Sequence, residues 1–271
     1  MHRLVVVMPT LNQGHFLERT LVSVLKQLGK DDALVVVDGD SKDRTHTILE
    51  KYSDRITHVE VNADLNQAAA LKWGFDNYPA KYASYLNSDD LYLPGAVESA
   101  LNYLNSQPGA VATYSHRVAI DSADRIQWLW RLPPHSNYLM SRWDYIPQET
   151  CFWRYRDMQD CGGIDPFLEF AMDYDLFVRL MQRGVFHRAN NIRAAFRVHP
   201  EAKTSRLNDT VGKREVNAIM ARQQIKFHSR DRIVGSVLRR IIKRRSAVWF
   251  KQLRVQKEVT DKIDRAISGL R

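Results

Sequence analysis

One short stretch of the chain, residues 85–90, reads Tyr-Leu-Asn-Ser-Asp-Asp and ends in two adjacent carboxylates, Asp89 and Asp90. The apolar residues that lead into it, from Tyr82 onward, are typical of a buried strand. Adjacent carboxylates repel each other, and a hard divalent cation such as Mg²⁺ or Mn²⁺ offsets that repulsion. The tip of a strand is also where open α/β sheets bind ligands. The stretch predicts a metal-binding strand end, and the simpler alternative is an acidic turn that caps the next helix.

Working outward from this stretch, apolar runs alternate with helix-like segments along the first 110 residues. Strands are predicted over Leu4–Met8, Leu34–Val37, Ile56–Val61 and Tyr82–Asn87. Helices are predicted over 14–28, around 47–49, over 66–77 and over 94–104. Strands that alternate with helices imply right-handed βαβ units. The sequence therefore predicts an α/β fold with a mostly parallel central sheet flanked by helices.

The pattern changes after residue 110. Short strands are predicted over 111–115, 117–120 and 192–198, with a helix over 173–182. An aromatic-rich stretch separates them, and its rings could stack on sugars, although core packing is the expectation for most of them. These aromatic residues are Trp128, Trp130, Tyr138, Trp143 and Tyr145. From residue 208 the sequence is helical and basic, which predicts a C-terminal helical extension.

The positive charge of the chain is concentrated at its C-terminal end. The whole chain has a net charge of +9, but residues 222–271 carry 15 Lys and Arg against four acids, a net of +11. The preceding residues are therefore close to neutral, at −2. A basic helix with interleaved Ile, Val, Trp and Phe suits an anionic membrane surface. A solvated helix is the alternative, and a nucleic-acid partner is disfavoured because no recognition motif accompanies the charge.

Cysteine usage and hydropathy bear on the compartment. The chain has two cysteines, Cys151 and Cys161, which cannot form a disulfide framework. No apolar run approaches the roughly 20 residues of a membrane span, and the chain starts with a strand-like run rather than a signal-peptide pattern. We expect a cytoplasmic protein, with peripheral attachment to the inner face of the membrane through residues 222–271.

Polar side chains follow the predicted strands where each strand ends. The carboxyl ends of parallel strands share one edge of a sheet, so these side chains should converge on one cleft. Each of them alone could be a helix cap or a turn residue. Neither glycine-rich phosphate-binding pattern is present, so a bound diphosphate would need a metal and side chains. The residues are Thr10, Asn12, Asp38, Asp64, Asp89 and Asp90.

Several motifs, in order, resemble the family 2 glycosyltransferases of the GT-A fold, and together they cover roughly residues 3–205. The first is Val7-Met8-Pro9-Thr10-Leu11-Asn12-Gln13-Gly14, followed by Ser23–Gln27 and by Val37-Asp38-Gly39-Asp40-Ser41-Lys42-Asp43-Arg44-Thr45. The next are Leu86–Asp90 with Leu93–Ala96, Pro147–Glu149 with Phe152–Arg154, and Gly162–Asp165. Met172-Asp173-Tyr174-Asp175-Leu176 and Arg197–His199 with Lys203-Thr204 complete the set.

The resemblance implies an inverting transfer of a sugar from a nucleotide-diphosphate donor, with UDP the expected nucleotide. It assigns Asp38 to the nucleobase, Asp89 to the ribose or the metal, and Asp90 to the metal. Asp173 would be the general base, and His199 would reach the metal or the diphosphate. The remaining donor-site residues would be Thr10, Asn12, Asp64, Ser88 and Gln148, where Gln148 either binds substrate or orders a loop.

The chemistry of such a transfer requires these groups. A carboxylate must take the proton of the acceptor hydroxyl, and its pKa should rise in a dry cleft. A divalent cation, Mg²⁺ or Mn²⁺, would stabilise the leaving diphosphate. Asp175 competes with Asp173 for the role of base, and in the bland interpretation Asp173 only opens a helix. Met172 stands where many relatives have Glu, and Asn66 and Ala69 replace the relatives' Gly and Asp.

These observations predict a GT-A domain over 1–207, with a nucleotide half over 1–110 and an acceptor half over 111–207, and a basic helical tail over 208–271. The expected function is a metal-dependent inverting glycosyltransferase that acts on a glycan or a lipid-linked acceptor. One alternative is a non-catalytic relative that binds glycan or membrane. A sugar nucleotidyltransferase is a weaker alternative, because its phosphate loop is missing.

Overall fold

The computed structural model describes residues 1–203, 207–226 and 228–269. Its strands are β1 (His2–Thr10), β2 (Asp32–Asp38), β3 (His58–Val61), β4 (Ala80–Tyr85), β5 (Leu91–Tyr92), β6 (Ala110–Ile120), β7 (Ile126–Trp130), β8 (Phe152–Arg154) and β9 (Val185–Arg197). Its α-helices are α1 (Gly14–Leu25), α2 (Thr45–Lys51), α3 (Gln67–Asn77), α4 (Ala96–Ser106), α5 (Asn137–Met140), α6 (Tyr155–Asp160), α7 (Met172–Leu180), α8 (Lys213–Arg222), α9 (Ser229–Phe250) and α10 (Leu253–Ile267). A 3₁₀ turn covers Gln148–Thr150, and a π-helical turn covers Asn208–Gly212.

The strands form one sheet in the order β3-β2-β1-β4-β8-β6-β9-β5, and β7 pairs with β6 outside this order. Strands β1 to β4 pair in parallel, as the alternation of strands and helices predicts, and β6 is parallel to β9. Strand β8 is antiparallel to both β4 and β6 and so joins the two halves of the sheet. The predicted α/β fold class, with helices flanking a central sheet, is confirmed.

The continuous apolar run of β1 is buried on both faces, as expected for an interior parallel strand. Val5 and Val7 pack into a core cluster with α3, whereas Leu4, Val6 and Met8 pack into a second cluster with α1 and α4 on the opposite face. Because successive side chains of a strand point to opposite faces, one short run builds two cores.

The sequence patterns are least accurate where strands are short or polar. They do not predict β5, β7 or β8, which have two to five residues each. They also split β6 into two pieces, and they start β9 at Ile192 although the strand begins at Val185. The first half of β9 carries polar residues, so its pairing with β6 leaves no hydrophobic pattern in the sequence.

The C-terminal segment is helical, as predicted, and its last helix belongs to a core cluster. Val259, Ile263 and Ala266 of α10 are buried against residues of β5, β6 and β9. The side chain of Lys26, next to α1, also donates to the backbone oxygen of Arg265 at 2.7 Å. Part of the basic tail is therefore packed onto the sheet domain.

Helix α9 presents an apolar stripe to solvent. The stripe is formed by Ile233, Val234, Val237, Ile241 and Val248, which are 42 to 66% exposed. Within the described ranges, no helix is long and apolar enough to cross a membrane.

Candidate active site

The loops after β1 and β2 are locked together at the carboxyl edge of the sheet. Asn12 has a positive φ of 53°, which Asn tolerates better than most residues. Its backbone nitrogen donates to Ser41 Oγ at 2.7 Å, and its side-chain oxygen accepts from the Lys42 nitrogen at 2.8 Å. Thr10 Oγ1 is buried beside them and has no hydrogen-bond partner within the described part of the chain. This edge therefore holds a fixed loop pair with one unsatisfied hydroxyl.

Asp38 ends β2 and organises its own loop. The carboxylate is fully buried and accepts from Ser41 Oγ at 2.5 Å and from the Ser41 nitrogen at 3.1 Å. His46 Nε2 lies 3.5 Å from Asp38 Oδ2. The contact of Asp38 with a nucleobase stays a prediction. The geometry shows that Asp38 fixes the position of its loop, because each carboxylate oxygen accepts a hydrogen bond from Ser41.

The Ser88-Asp89-Asp90 turn after β4 is held from below by α1. Thr20 Oγ1 lies 2.9 Å from the carbonyl oxygen of Ser88 and 2.8 Å from that of Asp90. Asp90 Oδ1 accepts from the Arg197 nitrogen at 2.8 Å, while Oδ2 is buried without a partner among the described residues. Burial and then the charge of Asp89 raise the pKa of Asp90 well above its usual range. A cation at Oδ2 would favour the ionised carboxylate.

Arg197 fixes this turn from the other side of the cleft. The side chain is fully buried, and its Nε donates to the Asp89 carbonyl oxygen at 2.7 Å. Its Nη1 donates to the Asp121 carbonyl oxygen at 2.9 Å and lies 2.7 Å from Asp124 Oδ1. The guanidinium also stacks over Phe16, 4.7 Å from the ring centre. No role was predicted for Arg197, although this residue lies two positions before His199 in the same motif.

His199 lies directly against the acidic turn. Its Nε2 is 3.0 Å from Asp89 Oδ2, and its ring packs 4.9 Å from that of Phe16. Carboxylate oxygens are the ligands that Mg²⁺ and Mn²⁺ prefer, and substrate phosphates often complete such sites. Across the described ranges, no three His, Cys, Asp or Glu side chains form a ready-made metal cluster. The protein therefore offers Asp89 and His199 as a pair, with the unpartnered oxygen of Asp90 nearby in the chain.

Asp173 and Asp175 both lie in the first turn of α7, yet their surroundings differ. Asp175 is fully buried and forms ion pairs with Arg179 at 2.5 Å and with Arg222. Asp173 is only half-buried, and it accepts a hydrogen bond from the Tyr174 nitrogen at 2.9 Å. Burial raises the pKa of Asp173 to about 6. The carboxyl of Asp173 thus has a pKa near neutrality, whereas Asp175 forms ion pairs with two arginines.

Glu149 connects the acids of the site. It is buried on the 3₁₀ turn, and its Oε1 lies 3.5 Å from Arg117 Nη1. Its charge helps to raise the pKa of both Asp90 and Asp173, after the larger effect of burial. The neighbouring Gln148 is also buried, and its Oε1 has no partner in the part of the chain that the structure describes. Gln148 was a predicted site residue, whereas no role was predicted for Glu149 because its burial is visible only in the fold.

A half-buried lysine, Lys203, reaches the same region through two amides. Lys203 Nζ donates to Gln67 Oε1 at 2.9 Å, and Gln67 Nε2 donates to Asn87 Oδ1 at 2.8 Å. Burial lowers the pKa of Lys203, which the charges of nearby acids, Asp173 among them, partly oppose. These two hydrogen bonds connect the ammonium group of Lys203 to Asn87, two residues before Asp89. Thr204, the other residue of that motif, lies outside the described residues.

The predicted site residue Asp64 and the nearby departure from the relatives, Asn66, lie at the margin of the site. Asp64 is exposed on the turn between β3 and α3, and its backbone nitrogen donates to Asn62 Oδ1. Asn66, which departs from the relatives' Gly, caps α3 by accepting from the Ala69 nitrogen at 2.8 Å. The departure at Asn66 therefore has a local structural role, since a side-chain cap stabilises the start of a helix.

The aromatic residues of the acceptor half divide between core and surface. Tyr145 is buried, Trp130 and Trp143 are half-buried, and Trp128 and Tyr138 are 37 and 43% exposed. Core packing is therefore complete only for Tyr145.

The edge of the sheet combines an imidazole–carboxylate pair, a carboxylate with a pKa near neutrality, and buried or half-buried amides and cations. A family model described as glycosyl transferase family 2 matches residues 5–161, more than half of the chain. The chain belongs to glycosyl transferase family 2. The family 2 match begins within β1 and extends past β8, so it includes the predicted site residues from Thr10 to Gln148. The predicted site residues Asp173 and His199 lie beyond it.

The chain is similar in sequence to two proteins named as glycosyltransferases. An uncharacterized glycosyltransferase of Rickettsia typhi is 26% identical over 210 residues, which cover 74% of this chain and 65% of the relative. The chain thus spans just under two thirds of that protein's length. The poly(ribitol-phosphate) beta-N-acetylglucosaminyltransferase TarP of Staphylococcus aureus is 33% identical over 108 residues, 38% of this chain and 33% of TarP.

Solved structures share the fold. Residues 1–349 of S. aureus TarS, in complex with UDP-GlcNAc, align with a TM-score of 0.66 at 15% identity, covering 98% of this chain and 81% of that 1–349 fragment. A mannosyltransferase from Pyrobaculum calidifontis, in complex with GDP-Man and Mn²⁺, aligns with a TM-score of 0.58 at 13% identity, covering 96% and 86%. At these identities the likeness establishes the fold that the motifs predict.

Proposed function

We propose that the chain is an inverting glycosyltransferase that moves a sugar from a nucleotide-diphosphate donor, UDP-linked, to a hydroxyl of a glycan or a lipid-linked acceptor. The observation that supports this most is the pairing of a carboxylate with a pKa of about 6, Asp173, with the Asp89–His199 pair at one edge of the sheet. Family membership, the name of TarP and the UDP-GlcNAc complex of TarS support the donor class.

In the proposed reaction, Asp173 accepts the proton of the acceptor hydroxyl as that oxygen bonds to the anomeric carbon of the sugar. The bond from that carbon to the diphosphate breaks at the same time, and its electron pair remains on the leaving phosphate. Asp89 and His199, with Asp90, would hold Mg²⁺ or Mn²⁺. When bound, the cation would act as a Lewis acid on the diphosphate. Arg197 holds the backbone oxygen of Asp89 and the carboxylate of Asp90 in place and so positions the donor.

The first test is a calorimetric titration of UDP, GDP, dTDP and CDP, with and without Mn²⁺. We expect Mn²⁺-dependent binding of UDP that is lost in Asp90→Ala and in His199→Ala. Asp173→Asn should bind UDP normally, because the base does not contact the nucleotide. If well-folded protein binds no nucleotide, the chain is a non-catalytic relative and the proposal fails.

We further propose that α9 attaches the protein to an anionic membrane surface on the cytoplasmic side. The exposed apolar stripe of α9 is flanked by arginines, including Arg230, Arg240 and Arg244. An apolar stripe between cations is the pattern of an interfacial helix. Deleting the tail would not test this, because α10 supplies core residues.

Point substitutions on α9 test the membrane proposal directly. We expect co-flotation with phosphatidylglycerol vesicles that drops at least fivefold in the triple variant Ile233→Ser, Val237→Ser, Ile241→Ser. The stripe is exposed, so the variant should keep its thermal stability. Flotation equal to that of the parent protein would exclude α9 as the attachment site.

A further inference from the structure

A cavity of about 580 Å³ lies between β7 and α9, outside the site described above. Its wall is mainly aromatic, formed by Trp128, Trp130, Trp143 and Phe250. Two cations, Arg239 and Lys243, also line it, and both are exposed. The size falls in the range of small-molecule sites, which are mostly apolar with a few placed polar groups.

The chemistry of this wall selects against a sugar. A sugar hydroxyl both donates and accepts hydrogen bonds, but the Trp, Arg and Lys side chains of this wall can only donate, and among the described residues that line the cavity there is no carboxylate or amide to accept. The hydroxyl of Ser246 is already used, since it accepts from the Arg131 nitrogen at 2.9 Å. Aromatic surface with two cations and no acid instead matches an apolar chain that carries an anionic group.

The cavity adjoins the acceptor side of the candidate active site. The Arg117 guanidinium stacks against Trp128 and Trp130, at 5.5 and 4.6 Å from the ring centres, and the same group reaches Glu149. Trp143, which also lines the cavity, is followed by Asp144, which is exposed to solvent. A ligand in the cavity would therefore lie one side chain, that of Arg117, away from Glu149, whose charge also acts on Asp173.

We propose that this cavity binds the lipid-phosphate part of the acceptor, with the apolar chain against the tryptophans and the phosphate at Arg239 and Lys243. The acceptor hydroxyl would then extend past Asp144 towards Asp173. This inference rests on the proposed glycosyltransferase function and narrows its acceptor to an anionic amphiphile.

Farnesyl phosphate, titrated below its micelle concentration and followed by calorimetry, is the probe. We expect it to bind the full chain, and farnesol, which has the same chain without the charge, to bind at least tenfold more weakly. In Arg239→Gln/Lys243→Gln, affinity for farnesyl phosphate should fall at least tenfold. The matched control is Arg232→Gln/Arg240→Gln, which removes the same charge from α9 outside the cavity and should change affinity less than twofold.

A second variant tests the cavity itself. Ala247→Trp places a large side chain in the cavity from an exposed position, so it should fold and abolish farnesyl phosphate binding. Equal binding by this variant, or an equal loss in the control pair, would overturn the assignment.

The two proposals fail separately. The cavity variants should bind UDP and Mn²⁺ like the parent protein, because none of their residues touches the strand-end site. Absence of UDP binding by the parent protein would refute the proposed glycosyltransferase function. Normal UDP binding without farnesyl phosphate binding would refute only the lipid-phosphate acceptor.

Discussion

At the scale of single residues, two neighbouring aspartates show how surroundings divide one residue type into two roles. Asp175 is fully buried between Arg179 and Arg222, whereas Asp173 lies half-buried two residues earlier, and no described residue gives it a cationic hydrogen-bond partner. Burial raises the pKa of Asp173. Which of the two carboxylates is left without an ion pair therefore depends on where two arginines lie.

Asp173→Asn should remove activity and leave the fold more stable. We expect transfer to fall by about 10²- to 10⁴-fold, the usual contribution of a general base. The folded pKa of about 6 lies above the ordinary 3.8, so the stability that the neutral carboxyl contributes is full below pH 3.8 and is lost as pH rises through 6. Thermal melts should therefore show equal stabilities near pH 3.8 and, at pH 7.5, an Asn variant more stable by on the order of 1 kcal/mol.

The pH dependence of activity follows from the same group. With Asp173 as the base, kcat/KM should fall about tenfold per pH unit below pH 6, because protonation removes the acceptor of the proton. The measurement is a pH profile of transfer to saturating acceptor. A profile that stays flat down to pH 4.5 would assign the proton transfer to another group.

Asp175→Asn should behave oppositely to Asp173→Asn. Removing the buried carboxylate leaves Arg179 and Arg222 without their shared partner, which typically costs about 3 kcal/mol. We expect a clear loss of stability in urea titrations at pH 7.5. Any folded fraction should retain the pH profile of the parent protein. Unchanged stability would mean that the two ion pairs contribute nothing.

At the scale of secondary-structure elements, the acidic turn after β4 depends on helices and strands that are distant in sequence. Helix α1 supplies Thr20 beneath the turn, and β9 supplies Arg197 beside it. The turn therefore keeps its geometry only when α1 and β9 are docked.

Thr20→Val tests this support without changing side-chain volume. The carbonyl oxygens of Ser88 and Asp90 would lose their buried partner, at a cost of about 1–3 kcal/mol. We expect UDP–Mn²⁺ affinity to drop severalfold by calorimetry, because the Asp89 and Asp90 side chains lose their fixed positions. The control is Thr57→Val, which removes a hydrogen bond to the Leu34 nitrogen near the opposite end of β2. A UDP affinity unchanged in Thr20→Val would show that the turn is held adequately without α1.

At the scale of the whole molecule, the chain combines a near-neutral sheet domain with a basic C-terminal segment that is partly integrated into it. Helix α10 packs Val259, Ile263 and Ala266 into a core cluster, while α9 leaves its apolar stripe exposed. One basic segment thus contains a helix with a structural role and a helix available for binding.

Ile263→Ala should destabilise the entire protein rather than the tail alone. The side chain is 2% exposed, and truncation of such a core residue costs about 2–4 kcal/mol. The control is Ile233→Ala on α9, where 66% exposure predicts a change within about 0.5 kcal/mol. Tryptophan fluorescence and circular dichroism should report one transition. A separate early transition for the C-terminal segment would contradict integration of α10.

The amino-acid sequence by itself determined the buried strands of the first half, their parallel order, the acids at their ends and the family. These features are local, since apolar runs, strand-end residues and motifs are each read within a dozen neighbouring positions. The starts of α1, α3, α4 and α7 were predicted to within two residues for the same reason. The family resemblance added His199 and Asp173, which periodicity could not identify.

Only the tertiary structure decided the contacts that make a site of these residues. It inserted β8 between β4 and β6, paired Asp175 with two arginines, brought Arg197 to Asp89, buried Glu149 and docked α10 on the sheet. Arg197 and Asp89 are 108 positions apart, and no sequence period records such a contact. The sequence pattern sets which faces are apolar. The pKa of a carboxylate and the partner of a buried charge depend on everything that packs around them.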